Sequence, residues 1–291
     1  MIDESQVAEA EAAIGNALKT GDQGPLKVLG YGEITVVVGW PTDHPTVALK
    51  RLPPSRDRLR LERYADLIDT YCERLRAKHI RVAPHHHVIV AASGGGWALY
   101  NIQPLFAAPA LAIESLRSTI PAAGNWVVRS VIGHAIKATP ELGIDAQFTN
   151  WFLDDNDLIL VDTTTPILRD QGKSALDVGM LLTPMPAVLR PVLRRFVVPD
   201  ILARLHDPRS NVIDLTSNLH RERLADWIPH VLDEANRHLD RPIERSEVDA
   251  YYHSDKRLWS TIQRAKRTQR WWSTSVRRRP YPVLLPGPIE R

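Results

Sequence analysis

The chain has 291 residues, 44% hydrophobic and 24% charged, enough for one large domain or two packed halves with a sizeable core. It has no run of 18 apolar residues, and its acidic first twenty residues lack the basic and apolar regions of a secretory signal, so neither a membrane span nor export is expected. Net charge is only +3 and Cys72 is the single cysteine, which excludes an intrachain disulfide and a cysteine-built zinc cluster and fits a cytoplasmic protein.

Residues 4–20 read as a helix, with Val7, Ala10, Ile14, Ala17 and Leu18 on one face, ended by "GDQGP". "LKVLGYGEITVVVGW" reads as two strands around a glycine turn, and "HPTVALKRL" as the next strand. Residues 58–78 turn helical, with Tyr64, Leu67, Ile68, Tyr71 and Leu75 in a stripe. "HHVIVAASGGGWALYNIQPLF" then forms a hairpin. Helical spacing returns in "AGNWVVRSVIGHAIKATPE", followed by a hairpin at 151–162 and helices at 187–205, 219–239 and 246–273. The last residues are proline-rich and extended in this reading. The layout predicts an α+β, bilobal chain: a β-rich part at 1–104, then a helical part at 105–291 containing one isolated hairpin. Ligands favour the cleft between such parts.

Four features fall in order along the chain. Gly30 and Gly32 sit in a turn between strands, where missing side chains let backbone approach a phosphate. Lys50 ends the strand "VALK", and Ala48, two residues back, is small and shares its face. Asp145 and Asn150 follow a helix, and Asp162 ends the second strand of the next hairpin, so Asn150 and Asp162 can return to one end of it. Their oxygens suit Mg²⁺, leaving Asp145 to orient or deprotonate a hydroxyl. With 21 Asp and 8 Asn in the chain, the Asp-x4-Asn-x11-Asp spacing arises by chance only roughly 0.04 times.

These motifs resemble the protein-kinase-like superfamily, nearer the aminoglycoside and choline phosphotransferase type than protein kinases. "LGYGEITVV" is similar to the glycine loop, "VALK" to the lysine strand, "YNIQPL" to the hinge, "GIDAQFTN" to the catalytic loop and "LVDTTTP" to the metal-binding segment. The chain also resembles an uncharacterised actinobacterial family with a "DAQ-x-x-N-W … D-x-x-T-P" signature. The resemblance implies an ATP- and Mg²⁺-dependent phosphotransferase acting on a small-molecule hydroxyl or amino acceptor. Gly30, Tyr31, Gly32, Glu33 and Thr35 would cover the phosphates, with Ala48 beside them. Lys50 would grip the α/β-phosphates, and Asn101 to Gln103 would meet adenine. Asn150 and Asp162 would hold Mg²⁺, and Asp145 would be the base. Of the acids at 62, 66, 69 and 73, Asp69 has the spacing closest to the usual lysine partner. Glu62, near the helix start, is taken for that role.

The sequence departs from that pattern. Thr35 stands at the third glycine, Gly143 replaces the histidine that begins the catalytic loop, and Gln147 replaces a lysine or histidine. The Phe-Gly pair and an Ala-Pro-Glu segment are missing, which argues against a regulated protein kinase. Gln147 cannot bring positive charge to a γ-phosphate, so a nucleotide-binding pseudokinase or scaffold acting through protein contacts is the alternative. Residues 241–291 carry 12 Lys/Arg against 5 Asp/Glu, 12 − 5 = +7. This reads as a solvated face and basic tail, and nucleic acid is not the expected partner. The triplet at 85–87 invites a metal, but neighbouring strand residues point to opposite faces, so all three histidines cannot converge. Trp259 and "RWW" at 270–272 read as packing, and "DVGMLL" at 177–182 as either an N-capped helix or one whose Asp supports the catalytic loop.

Overall fold

Asp3 opens the first helix with a capping box. Its side chain accepts from the Gln6 amide at 3.0 Å, and the Gln6 side chain accepts from the Asp3 amide at 3.2 Å. Helix α1 (Glu4–Thr20) closes at Gly21, whose φ of 79° suits a residue without Cβ. This computed structural model describes residues 2–32, 35–183 and 185–271.

Strands β1 (Lys27–Tyr31), β2 (Val36–Trp40) and β3 (Val47–Arg51) lead to α2 (Arg58–Ala77), capped by Asp57. A two-residue β4 (Arg81–Val82) precedes the hairpin of β5 (His86–Ala91) and β6 (Trp97–Pro104). The antiparallel sheet runs β1-β2-β3-β6-β5. Period-two alternation divides its faces. Leu49, Tyr100 and Ile102 pack with Val7, Ala10 and Ile14 of α1. Their chain neighbours point the other way, where Leu52 and Leu99 pack with Leu61, Ile68 and Cys72 of α2.

Helix α1 is fastened by a buried ion pair. The Arg51 guanidinium donates to both Glu11 oxygens at 2.7 and 3.0 Å, and Glu11 also accepts from the Ser93 amide and the Tyr100 hydroxyl. Burial works to raise the Glu11 pKa, but the guanidinium, hydroxyl and amide together hold it below the ordinary carboxylate value.

Beyond Pro104 helices predominate. Short α3 (Ala112–Arg117), absent from the sequence reading, precedes α4 (Trp126–Ala135), capped by Asn125. The hairpin of β7 (Trp151–Asp154) and β8 (Asp157–Leu160) turns through two residues, with Asp155 left-handed at φ 54°. Strand β4 pairs parallel with β8 and joins this hairpin to the end of α2. A small hairpin, β9 (Arg169–Asp170) and β10 (Lys173–Ser174), leads to α5 (Val178–Leu182). The helix expected at 187–205 is divided into α6 (Arg190–Val192), a π-helical turn and α7 (Val198–Leu205). The one expected at 219–239 is a correction. Helix α8 (Pro208–Arg221) starts earlier, and Arg223 turns left-handed at φ 59° before α9 (Ile228–Ala235). Helix α10 (Arg245–Trp271) packs on α8.

The fold is therefore mixed α+β. No helix among the described residues is long and apolar enough to cross a membrane. Glu33, Trp272 and the basic tail from 273 on lie outside the described residues.

Candidate functional site

Lys50 lies on the α2 side of β3 and is buried. Its ammonium donates to the Val161 carbonyl and stands 3.8 Å from an Asp162 oxygen. Gln103, on β6, donates to the same carbonyl at 3.0 Å. Two sheet strands thus grip the chain just after β8. Burial pulls the Lys50 ammonium below the ordinary lysine value, and Asp162 opposes that pull.

The segment from Gly143 to Asn150 is shaped by close packing. A Cβ at Gly143 would stand 2.2 Å from Ile167 Cγ2 and 3.2 Å from the Leu205 carbonyl. Here lies the physical reason for glycine at this position. The Gly143 amide donates to Ile167 O at 2.8 Å, and its carbonyl accepts from Tyr71 of α2 at 3.0 Å. Asn150 donates its amide to the Asp145 carbonyl at 3.2 Å, which leaves its own side-chain oxygen as an acceptor. Thr164 donates to Asp162 at 3.0 Å and orients that carboxylate.

Asp145 sits half-buried among acids. Burial first, then the charges of Asp214 and Asp162, push its carboxyl up to about 7. Asp214, on α8, accepts from the Tyr251 hydroxyl of α10 at 2.6 Å and from the Gln147 side chain at 3.3 Å. Arg204 of α7 lies over the Tyr251 ring, 4.7 Å from its centroid.

All of this opens onto one cavity of about 610 Å³. Gly30, Tyr31, Gly32 and Thr35 line one side, with Ala48, Lys50 and Gln103 behind them. Asp145, Asn150 and Asp162 line the opposite side, and Asp214, Tyr251, Asp255 and Trp259 extend it along the helices. Sequence reading missed Asp214, Arg204 and Tyr251. Each is an ordinary polar residue of an amphipathic helix, and only the packing of α7, α8 and α10 turns it inward.

Two expected residues are elsewhere. Glu62 is not the partner of Lys50: it lies off the buried face of α2 and pairs with Arg58 at 3.0 Å. Cys72 of α2 lies near Lys50, but burial pushes that thiol up to about 11, so it is uncharged at neutral pH and supplies no carboxylate-like partner. Asn101 does not reach the cavity. It is wholly buried opposite Lys50 because β6 continues to Pro104, and the segment that lines the cavity is Gln103 to Phe106. Glu33 lies outside the described residues. Asp177 caps α5 and binds Arg60 of α2 in a bidentate pair at 2.5 and 2.9 Å, so it ties two helices together, and among the described residues it makes no hydrogen bond to the 143–150 segment. His85 and His87 turn to one side and meet Asp69, while His86 faces away.

A mixed α+β chain with an acidic and lysine-bearing cleft is thus the class that fold and site define. The chain belongs to a family of unknown function (DUF6206), whose model matches residues 9–270. No curated protein matches it.

Proposed function

We propose that the chain is a bilobal, protein-kinase-like phosphotransferase that uses ATP and Mg²⁺ to phosphorylate a small-molecule hydroxyl or amino acceptor. The observation that carries this reading is the convergence of Lys50, Asp145, Asn150 and Asp162, drawn from three separate stretches of chain, around one cavity beside the Gly30–Gly32 turn.

The donor set fits a hard divalent cation. Asp162, Asn150 and the neighbouring Asp145 and Asp214 present oxygen ligands, and like-charge repulsion among the acids is the kind a cation relieves. Asn150 and Asp162 would hold Mg²⁺, which when bound neutralises phosphate charge. Lys50 would contact phosphate oxygens. Its ion pair with Asp162 positions the ammonium in the cleft. Gly30 supports a close ligand approach: its backbone is not left-handed and a Cβ there would meet no protein atom within 4 Å, so packing does not demand glycine. In the transfer step Asp145 takes the acceptor proton as the acceptor-to-phosphorus bond forms and the β–γ bridging bond breaks. A carboxyl poised at about 7 suits a general base at neutral pH. The acceptor would lie toward Asp214 and Tyr251.

Nucleotide binding without transfer is the second reading. Gln147, where a cation aids the γ-phosphate in active relatives, is neutral and engaged with Asp214. Calorimetric titration of ATP with Mg²⁺ into wild type and Asp162→Ala tests both. Binding lost in the variant supports the site. No binding to folded wild type overturns both readings, and product formation abolished by Asp145→Asn separates them.

A further inference from the structure

We propose that Asp69, His85 and His87 form a second metal site, separate from the cleft, that takes a zinc-type divalent ion and ties α2 to the edge strand of the sheet. His85 precedes β5 and His87 lies within it, so the two rings share a side while His86 takes the other. Both Nε2 atoms approach the same oxygen of Asp69, at 2.9 and 3.1 Å, and the three ligand atoms lie within 4.8 Å of one another. The ring geometry is held from behind. His85 Nδ1 is 3.1 Å from the Ala83 carbonyl, which can only accept, so Nδ1 carries the proton. In the neutral ring Nε2 then presents a lone pair to a carboxylate oxygen that presents another. A cation between them resolves this contact and serves His87 at the same time, and a backbone carbonyl behind a ligating imidazole is the usual arrangement in metal sites.

The dimensions agree. Zinc–nitrogen and zinc–oxygen bonds of about 2.0–2.2 Å in a tetrahedron separate neighbouring ligand atoms by roughly 3.3–3.5 Å, so the two Asp69 contacts would open slightly from 2.9 and 3.1 Å while the two imidazole nitrogens, within 4.8 Å of each other, would draw together. The side chains of His85 and His87 are 4% and 12% exposed and that of Asp69 is 54% exposed, so two fixed rings stand behind a carboxylate at the surface, with room for a water ligand. Imidazole nitrogens select zinc-type ions over Mg²⁺, so the two sites take different metals. The placement gives the site a structural consequence. His87 lies opposite Asn101, which lies opposite Lys50, on the face that α2 covers. A metal on Asp69 therefore holds α2 at one end of the row that ends at the cleft lysine.

The test is titration of zinc chloride into the chelator-stripped full chain, read by calorimetry and thermal melting, with magnesium chloride as a control. Wild type is expected to bind one zinc equivalent and to melt higher with it. Asp69→Asn, at an exposed position that leaves the core intact, and His87→Ala should each weaken binding at least about tenfold and remove the melting shift. Zinc binding unchanged in a folded Asp69→Asn protein would overturn the proposal. So would a folded wild type that binds no zinc.

Discussion

Asp145 carries the most consequential electrostatics of any single residue in the cleft. Its pKa in the fold is raised from 3.8 to about 7, so between those values the native state holds a proton that the unfolded chain has released. Stability from this group therefore falls as pH rises through that window, and the loss is complete above about pH 7. Asp145→Asn removes the loss: its melting temperature should exceed that of wild type at pH 8 and match it near pH 4, in paired thermal scans. The same variant should lower phosphoryl transfer at least about a hundredfold, read as single-turnover product formation. Asp162→Ala should leave the far-ultraviolet circular dichroism unchanged yet abolish Mg²⁺-dependent ATP binding, because Asp162 is partly exposed and touches only Lys50 and Thr164 among the described contacts.

Elements are joined by a few buried polar contacts whose loss is disproportionate. Glu11→Ala would strand Arg51 as an uncompensated buried cation between α1 and the sheet. Urea denaturation should show a loss of about 3–5 kcal/mol. The depressed Glu11 pKa makes that pair fully effective above the ordinary glutamate value, with its contribution fading as pH drops below it, so the gap between wild type and variant should narrow in acid. Gly143→Ala forces a Cβ against Ile167 and should cost about 1–3 kcal/mol, less when Ile167→Ala accompanies it. Local patterns were legible at this scale where one face of an element is buried. The α1 bounds, the VALK strand and both long hairpins follow from periodicity and turn residues. The left-handed turn at Arg223 is made by an arginine, with no glycine to mark it, and the sequence signal for the break is Pro229 in the first turn of α9.

Across the whole molecule, the proposed nucleotide complex couples the sheet and the helices through one cleft. At a hundredfold excess over its dissociation constant, Mg-ATP should stabilise wild type by about 2.7 kcal/mol, a melting shift of about 4–5 °C for a chain of this length, and Asp162→Ala should show none. The order of the glycine turn, Lys50, Asp145, Asn150 and Asp162 is a property of the sequence, since hairpin lengths and strand alternation dictate which side chains can return to one end. Their meeting at a cavity depends on tertiary structure, as do the inward turn of Asp214 and Tyr251, the neutral Cys72 in place of a carboxylate beside Lys50, and the approach of Asp69 to His85 and His87. Periodicity specifies the face of an element on which a residue lies. What that face meets is set by long-range packing between segments, in the last case 16 and 18 residues apart and in the cleft more than a hundred.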